Sequence, residues 1–256
     1  MRLLTTRAVV SKTMKMSDSS KLVTLITENH GLVKVMARGA RRPQSKFGAS
    51  LETITLISCI YSFRDNREIQ NLSSSEIIEP YMNIKSDLRM LSNASAVLEI
   101  TQMFTAQDDP KAGTFENLIN SLAEFETGRV KNAPKLLWRS VLRLLGSAGY
   151  SPQIDKCSLC GGKVKGTSVF FSFTDGGIIC SCSDTAEKFG VPVSLGALMV
   201  MKSLTDGTSG DMERLKVSPG QIHEIEKLVL NFISYHTGTS RQPKSLGFLR
   251  KIESEN

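Results

Sequence analysis

The stretch Leu22–Phe47, which reads LVTLITENHGLVKVMARGARRPQSKF, contains two apolar runs, a turn and a cluster of cations. The runs Leu22–Thr27 and Leu32–Ala37 are rich in β-branched and other apolar residues, which predicts two strands. Glu28-Asn29-His30-Gly31 between them has the composition of a hairpin turn, because Asn and Gly tolerate positive φ. The stretch therefore predicts an antiparallel hairpin that is followed by a basic loop.

Three more strand patterns flank this hairpin, at Arg7–Met14, Leu51–Phe63 and Ile69–Ile78. Five strands joined by hairpins and one long loop favour a small barrel. We therefore predict a five-stranded oligonucleotide-binding (OB-fold) barrel over residues 1–80. Barrels of this kind hold single-stranded nucleic acid with a strand face and the loops beside it.

The basic segment Lys34–Phe47 lies at the end of the second hairpin strand and in the loop that follows. It has no acidic residue, and its candidate phosphate ligands are Lys34, Arg38, Arg41, Arg42 and Lys46. Positively charged side chains that lie close together repel one another. A phosphate backbone would neutralise them and release its own counterions. Phe47 is the candidate for base stacking, whereas Tyr61 and Phe63 are expected in the barrel core. The alternative interpretation is a solvated basic loop that keeps the protein soluble.

Charge and composition narrow the function classes. The chain of 256 residues has 32 Lys and Arg against 25 Asp and Glu, a formal net charge of +7 that favours an acidic partner. Residues 1–80 carry 12 Lys and Arg against 7 Asp and Glu, a net of +5. The sequence has no Walker-type, G-x-S-x-G or H-E-x-x-H motif, so we expect a protein that is not an enzyme. It also has no membrane-span or signal-peptide pattern, so we expect a cytoplasmic, nucleoid-associated protein.

Residues 81–256 change to helical spacing and predict a helical domain. The predicted helices cover Asn83–Phe104, Thr114–Gly128, Ala133–Ala148, Val193–Leu204 and the region from Ser218 to Gly238. Thr114 is expected to cap the second of them. On the third, Trp138 is expected to pack in the core and Arg139 and Arg143 to form a solvated edge. The basic, apolar stretch from Lys244 onward could bind phosphates or dock on the domain.

Four cysteines in residues 155–186 predict a zinc-ribbon-like insert. Cys157 and Cys160 form a Cys-x₂-Cys knuckle, and Cys180 and Cys182 follow it after 19 residues. Four thiolates suit a closed, tetrahedral and structural Zn²⁺ site. The second pair is Cys-x-Cys, so either the backbone adapts to bring in Cys182 or Asp184 supplies the fourth ligand. A metal-free hairpin with reduced thiols is the alternative.

The order of these parts resembles the RecO family of bacterial recombination mediators and DNA-repair proteins. The resemblance covers essentially the whole chain. The segments that carry it are TRAVV at 6–10, SKLVTLITENHGLVKVMARGARRPQSKFGA at 20–49, CSLCGG at 157–162, FSF at 171–173, GGIIC at 176–180 and KSLGFL at 244–249.

This resemblance implies an N-terminal OB-fold barrel, a helical domain and a zinc ribbon, in an α+β multi-domain protein. It also implies that the protein binds single- and double-stranded DNA and anneals complementary strands. Its partners would be single-stranded DNA-binding protein and RecR, with which it would help to load the RecA recombinase in the RecFOR pathway of DNA repair. Annealing needs no ATP, because base pairing supplies the free energy.

The sequence leaves two other classes of function as alternatives. One is a non-catalytic interaction module whose helical domain binds an acidic, apolar peptide tail. The dependence of binding on salt separates this class from DNA binding, because phosphate contacts weaken steeply as salt is added. The other is a metal-dependent hydrolase, against which a closed Cys₄ site counts because it leaves no open position on the metal.

Overall fold

The computed structural model describes residues 2–106, 113–164, 169–180 and 190–254. They form two compact units. The first unit consists of Met1–Val130 together with Pro243–Asn256, and the second consists of Lys131–Gln242. The domain boundary at residues 80 and 81 stays a prediction.

The first unit contains a closed barrel with the strand order β1-β2-β3-β5-β4. Its strands are β1 (Arg2–Lys15), β2 (Lys21–Thr27), β3 (Gly31–Ala37), β4 (Leu56–Phe63) and β5 (Ile69–Glu79). Strands β3 and β5 pair in parallel, and the other pairs are antiparallel. The prediction of a five-stranded OB-fold barrel is confirmed.

Alternation along the strands separates the core from the outer face of the barrel. In β3 every second residue from Gly31 to Ala37 is buried, so Val35 points inward while Lys34 and Met36 face outward. Val23 of β2 is opposite Val35 and is equally buried. Because successive side chains point to opposite faces of a strand, one face fills the barrel interior and the other face is left for contacts.

The prediction of a strand from Leu51 onward is wrong at its beginning. Gly48–Leu51 is a turn of 3₁₀ helix, and β4 starts only at Leu56. Leu51 and Ile54 are nevertheless fully buried, and Ile54 has a φ of 56°. Their apolar side chains cover the barrel core from an irregular segment, which the sequence pattern alone does not distinguish from a strand.

Helices follow the barrel along the chain, and those in the described ranges belong to both units. They are α1 (Met82–Ser86), α2 (Leu88–Phe104), α3 (Thr114–Thr127), α4 (Ala133–Ser147), α5 (Leu195–Asp206), α6 (Ser209–Arg214), α7 (Pro219–Thr237) and α8 (Lys244–Ser254). The predicted helix over Asn83–Phe104 is interrupted at Asp87, whose carboxylate accepts hydrogen bonds from the N–H groups of Arg89 and Met90, both at 2.9 Å. Asp87 therefore caps α2. Thr114 is not a cap, because Gly113 takes that position with a φ of 79°.

Helix α8 belongs to the first unit and packs against α2. Leu246 and Leu249 are buried, and the N–H groups of Lys244 and Ser245 donate to the Glu99 carboxylate at 2.6 and 3.2 Å. A carboxylate at a helix N-terminus satisfies unpaired N–H groups and is favoured by the helix dipole. Of the two alternatives for this stretch, the structure shows docking.

In the second unit, α4 packs against α5 and α7. Trp138 is buried as expected, but Arg139 is only 1% exposed and does not lie on a solvated edge. Its guanidinium donates to the carbonyl oxygens of Leu204 and Gly207 at 3.0 and 2.7 Å. A buried cation is tolerated here because it satisfies carbonyl groups at the end of α5.

The second unit also contains a small sheet with the order β7-β6-β8, built from β6 (Val169–Ser172), β7 (Gly177–Cys180) and β8 (Val191–Val193). This sheet carries the cysteine region. None of the helices in the described ranges has the length and apolarity needed to cross a membrane.

Candidate functional site

The loop part of the basic segment is built from successive turns. The N–H groups of Arg42 and Ser45 donate to the carbonyl oxygens of Gly39 and Arg42 at 3.1 and 3.0 Å. Gly39 has a φ of 75°, a conformation that favours glycine and turns the chain directly after β3. The cations after β3 are therefore displayed on a folded loop.

Arg41 joins this loop to the β1–β2 loop, Met16–Ser20. Its guanidinium donates to the carbonyl oxygen of Ser17 at 2.7 Å. Its backbone N–H donates to the carbonyl oxygen of Ser19 at 3.1 Å. A guanidinium has five donors, so this contact leaves others for a ligand. Arg41 therefore positions two loops against each other while its side chain stays exposed.

Phe47 does not lie where base stacking requires it. It is 3% exposed and belongs to the barrel core together with Ala40 and Leu51. The Lys46 ammonium lies 5.3 Å from the centre of its ring. The stacking interpretation of Phe47 is corrected: the ring is an apolar anchor, which fixes the far end of the loop as Ala40 fixes its near end.

The other cations of the segment differ in their surroundings. Lys34 lies on the outer face of β3 and pairs with Glu68, and this hydrogen bond lowers the pKa of the Glu68 carboxyl. Lys46 is exposed beside Phe47. Arg38 and Arg42 are exposed and have no acidic partner among the residues that the structure describes. Their charge is available to a ligand.

A groove of about 500 Å³ lies between the β1–β2 loop and the basic segment. It is lined by Met16, Ser17, Ser19, Ser20, Met36, Arg38, Gly39 and Arg42. Two guanidinium groups and three hydroxyl side chains in one groove can hold phosphate oxygens. The structure thus brings Arg38 and Arg42 together at a groove, and Arg41 links the two loops that flank it.

Met16 and Met36 were not among the predicted site residues. Both line the groove, and Met16 is 56% exposed. The signal that could have identified Met36 is the two-residue period of β3, which places it on the same outer face as Lys34. An apolar side chain on the outward face of a strand next to cations is a reason to expect a contact surface.

Three cysteine side chains converge in the second unit and could hold a metal ion. The sulfur atoms of Cys157, Cys160 and Cys180 all lie within 4.8 Å of one another. The sulfurs of Cys160 and Cys180 are 3.8 Å apart, which is the separation expected for two thiolates about 2.3 Å from one tetrahedral ion. The donor set and its spacing fit zinc. Cys182 and Asp184, the two candidates for a fourth ligand, lie outside the described residues.

The backbone around the knuckle favours a thiolate at Cys157. Burial opposes ionisation of this thiol, but hydrogen bonds from the backbone N–H groups of Cys160, Cys180 and Leu159 outweigh it and lower its pKa to about 6. Cys59, in the barrel, shows the contrast: burial raises the pKa of its thiol to about 12. The Cys157 thiol is therefore suited to a metal, and Cys59 is a core residue.

Gly161 makes the turn of the knuckle possible. Its φ is 67°, and its N–H donates to the carbonyl oxygen of Cys157 at 2.9 Å. The knuckle is also held against β7, since the N–H of Ser158 donates to the carbonyl oxygen of Ile178 at 2.8 Å. The backbone thus presents the first two sulfurs toward Cys180.

The chain is similar in sequence to known DNA repair proteins. Residues 1–81 match the family model described as "Recombination protein O N terminal", and residues 85–246 match "Recombination protein O C terminal". A protein of Desulforamulus reducens named "DNA repair protein RecO" is 27% identical over 249 residues, which is 97% of this chain and 94% of that protein. The protein of the same name from Thermodesulfovibrio yellowstonii is 28% identical, over 89% of this chain and 91% of the relative. That of Salinibacter ruber is 27% identical, over 97% and 94%.

Proposed function

The chain belongs to the RecO family of recombination and DNA repair proteins, and from this premise we propose that it is a DNA-binding recombination mediator. It binds single- and double-stranded DNA and anneals complementary strands. With RecR, it helps to load the RecA recombinase on DNA that is coated with single-stranded DNA-binding protein. The observation that supports this most is the groove in which Arg38 and Arg42 lie without an acidic partner among the described residues.

The charge of the groove suits the backbone of a nucleic acid. Each phosphate that replaces counterions around Arg38 or Arg42 releases those ions, which makes association favourable at low salt. Arg41 and Lys46 add positive charge at the edge of the same loop. A surface that gathers two strands and screens their phosphates assists annealing without a nucleotide cofactor, since base pairing supplies the free energy. The proposed role is therefore not enzymatic.

In the second unit, the proposed role of the cysteines is structural. Cys157, Cys160 and Cys180 hold Zn²⁺, with Cys182 as the fourth ligand. A closed site of four thiolates supplies folding free energy to a small sheet whose apolar core is limited. Bound zinc would fix the knuckle on β7.

The direct test is binding of a single-stranded oligonucleotide across a series of salt concentrations, measured by fluorescence anisotropy. We would compare the native chain with Arg38→Ala/Arg42→Ala. The matched control is Lys216→Ala/Lys227→Ala, which removes two exposed cations from the second unit and changes the net charge equally. We expect the first variant to bind more weakly and to have a shallower salt slope by about 1.4, or about 0.7 for each lost single-strand contact.

If the control variant loses as much affinity and slope as Arg38→Ala/Arg42→Ala, binding follows the net charge and the groove is not the site. If the native chain shows no salt-steep binding to either single- or double-stranded DNA, the proposed DNA-binding role fails. Annealing is measured separately, as the rate at which two complementary labelled strands pair with and without the protein.

A second candidate function rests on a groove in the second unit. It is lined in part by Met199, Met212 and Leu215, and Met199 is 71% exposed. The acidic, apolar peptide tail of the alternative interpretation would fit such a surface, whose lining also includes Lys202 and Arg214. Affinity for a mainly apolar peptide should fall far less with salt than affinity for DNA, which separates the two contacts.

A further inference from the structure

Three apolar side chains form a row across the outer face of β1, β2 and β3. In the strand register Met14 is opposite Leu22, and Leu22 is opposite Met36. Residues that are directly opposite in paired strands point to the same face of the sheet. With strands about 4.8 Å apart, this apolar row spans about 10 Å.

The apolar row is accessible to solvent. Met14 is 49% exposed, and Leu22 and Met36 are half-buried. The barrel core does not need these side chains, because Val23 and Val35 fill it from the same strands and are fully buried. An apolar row kept on the outer face is costly to leave in water, which points to a ligand that covers it.

Positive charge surrounds the apolar row. Met36 extends into the groove that contains Arg38 and Arg42. The next row along the same strands carries Lys12 and Lys34 on either side of Thr24. Asp18 is the acidic residue of the β1–β2 loop, and Glu68 is already paired with Lys34. An occupant that combines apolar faces with anionic groups therefore fits this surface.

We propose that the apolar row of Met14, Leu22 and Met36 contacts the faces of unpaired DNA bases, while Arg38 and Arg42 hold the adjoining phosphates. This inference rests on the proposed DNA-binding function and specifies how the same surface recognises a single strand. Bases of a duplex are stacked between their neighbours, so only a single strand can lay base faces on the row.

Methionine suits this contact because its thioether is polarizable and its side chain is flexible. Sulfur makes favourable contacts with aromatic rings, and an unbranched chain adapts to rings of different size. A base contact of this kind is tolerant of sequence, since every base has a π face. The row thus supplies the apolar surface that Phe47, buried in the core, does not provide.

The experiment compares two single-stranded oligonucleotides of equal length and charge, one with bases and one in which abasic residues replace the central run. Binding to the native chain and to Met14→Gln/Met36→Gln is measured at one salt concentration and across a salt series. Met82→Gln/Met103→Gln is the matched control, because it changes one exposed and one half-buried methionine elsewhere in the first unit. Glutamine is similar in size to methionine and uncharged.

We expect the native chain to prefer the strand with bases by about tenfold, toward the lower end of what base stacking gives. In Met14→Gln/Met36→Gln the ratio of the two affinities should fall toward one while the salt slope is unchanged. The control variant should keep the native ratio. Equal native affinity for the two strands overturns the base contact but leaves phosphate binding intact. A native chain that binds neither strand with a steep salt slope overturns the proposed function and this inference with it.

A second readout does not depend on variants. Mild peroxide converts exposed methionines to sulfoxides, and mass spectrometry measures each one. Single-stranded DNA should protect Met14 and Met36, whereas Met199 in the second unit should be oxidised at the same rate with and without DNA. If Met14 and Met36 are oxidised at the same rate with saturating DNA as without it, the proposal is contradicted.

Discussion

The guanidinium of Arg41 donates a hydrogen bond of 2.7 Å to the main-chain carbonyl of Ser17. This contact fixes the β1–β2 loop next to the basic segment, and the groove lies between the two. A residue that the sequence suggested as a phosphate ligand thus also determines the shape of the site.

Arg41→Ala should weaken binding of single-stranded DNA mainly by loosening the groove. We expect an affinity loss of about threefold to tenfold, in line with a net contribution of about 1 kcal/mol from one hydrogen bond, and a smaller change in salt slope than Arg38→Ala/Arg42→Ala causes. Hydrogen exchange of the amides at Ser17–Ser20 should become faster in the variant. If exchange is unchanged and the slope falls by a full single-strand contact, Arg41 acts as a phosphate ligand only.

Phe47 should contribute to stability and not to base recognition. Phe47→Ala removes a buried ring from the barrel core, and we expect a loss of about 3–5 kcal/mol in the free energy of unfolding, measured by urea titration. Phe47→Leu keeps an apolar anchor and should cost less. Under conditions in which it is folded, Phe47→Leu should bind single-stranded DNA as the native chain does. A selective loss of DNA affinity in a stable Phe47→Leu protein would restore the stacking role.

The pair of Arg7 and Glu28 should make stability depend on pH on the acid side. The Arg7 guanidinium donates to both carboxylate oxygens of Glu28, at 2.7 and 2.9 Å, and holds the pKa of that carboxyl below its usual range. Because the pKa is lower in the folded chain than in the unfolded chain, the pair stabilises fully above the ordinary value. This contribution is lost as the pH falls below about 4.3 and through the lowered folded value.

Glu28→Gln should therefore destabilise the protein by about 0.5 kcal/mol at pH 7, the size expected for a partly exposed ion pair. The difference from the native chain should shrink between pH 5 and pH 3, as measured by thermal unfolding. Glu76→Gln is the control, because Glu76 is exposed and has no ion pair within the described part of the chain. A constant difference across this range contradicts the assignment.

Removal of one sulfur from the cysteine cluster should abolish metal binding. The native chain, purified with zinc, should carry about one zinc per chain, and Cys160→Ser should carry almost none. Release of the metal by a thiol-modifying reagent can be followed with a chromophoric chelator. Cys59→Ala is the control, since Cys59 is buried in the barrel and not in the cluster. Zinc retained in full by Cys160→Ser would exclude this cluster as the site.

The sequence predicted the barrel because strand alternation and turn residues act locally. Strand β3 and the turn that ends at Gly31 appear in the structure where the apolar run Leu32–Ala37 and the turn residues placed them. The burial of Phe47 was not predictable in the same way. Phe47 is an apolar residue next to cations in a loop, and only the closure of the barrel decides that its ring enters the core.

Arg139, in the helical region, is a second residue whose burial a local sequence pattern does not predict. Its position on α4 is compatible with an exposed charge, and its burial depends on two carbonyl groups at the end of α5, more than 60 residues away in sequence. Asp87 is the opposite case. Its capping of α2 is local and could have been found from an Asp that precedes an apolar helical run.

The return of α8 to the first unit has a consequence for synthesis of the chain. Helices α2 and α8 pack together, yet the whole second unit, Lys131–Gln242, is translated between them. The face of α2 that α8 covers therefore stays uncovered while the ribosome adds more than one hundred residues. During this interval α2 lacks the cover that the C-terminal helix gives it in the finished protein, so we expect chaperone binding or premature association at that face.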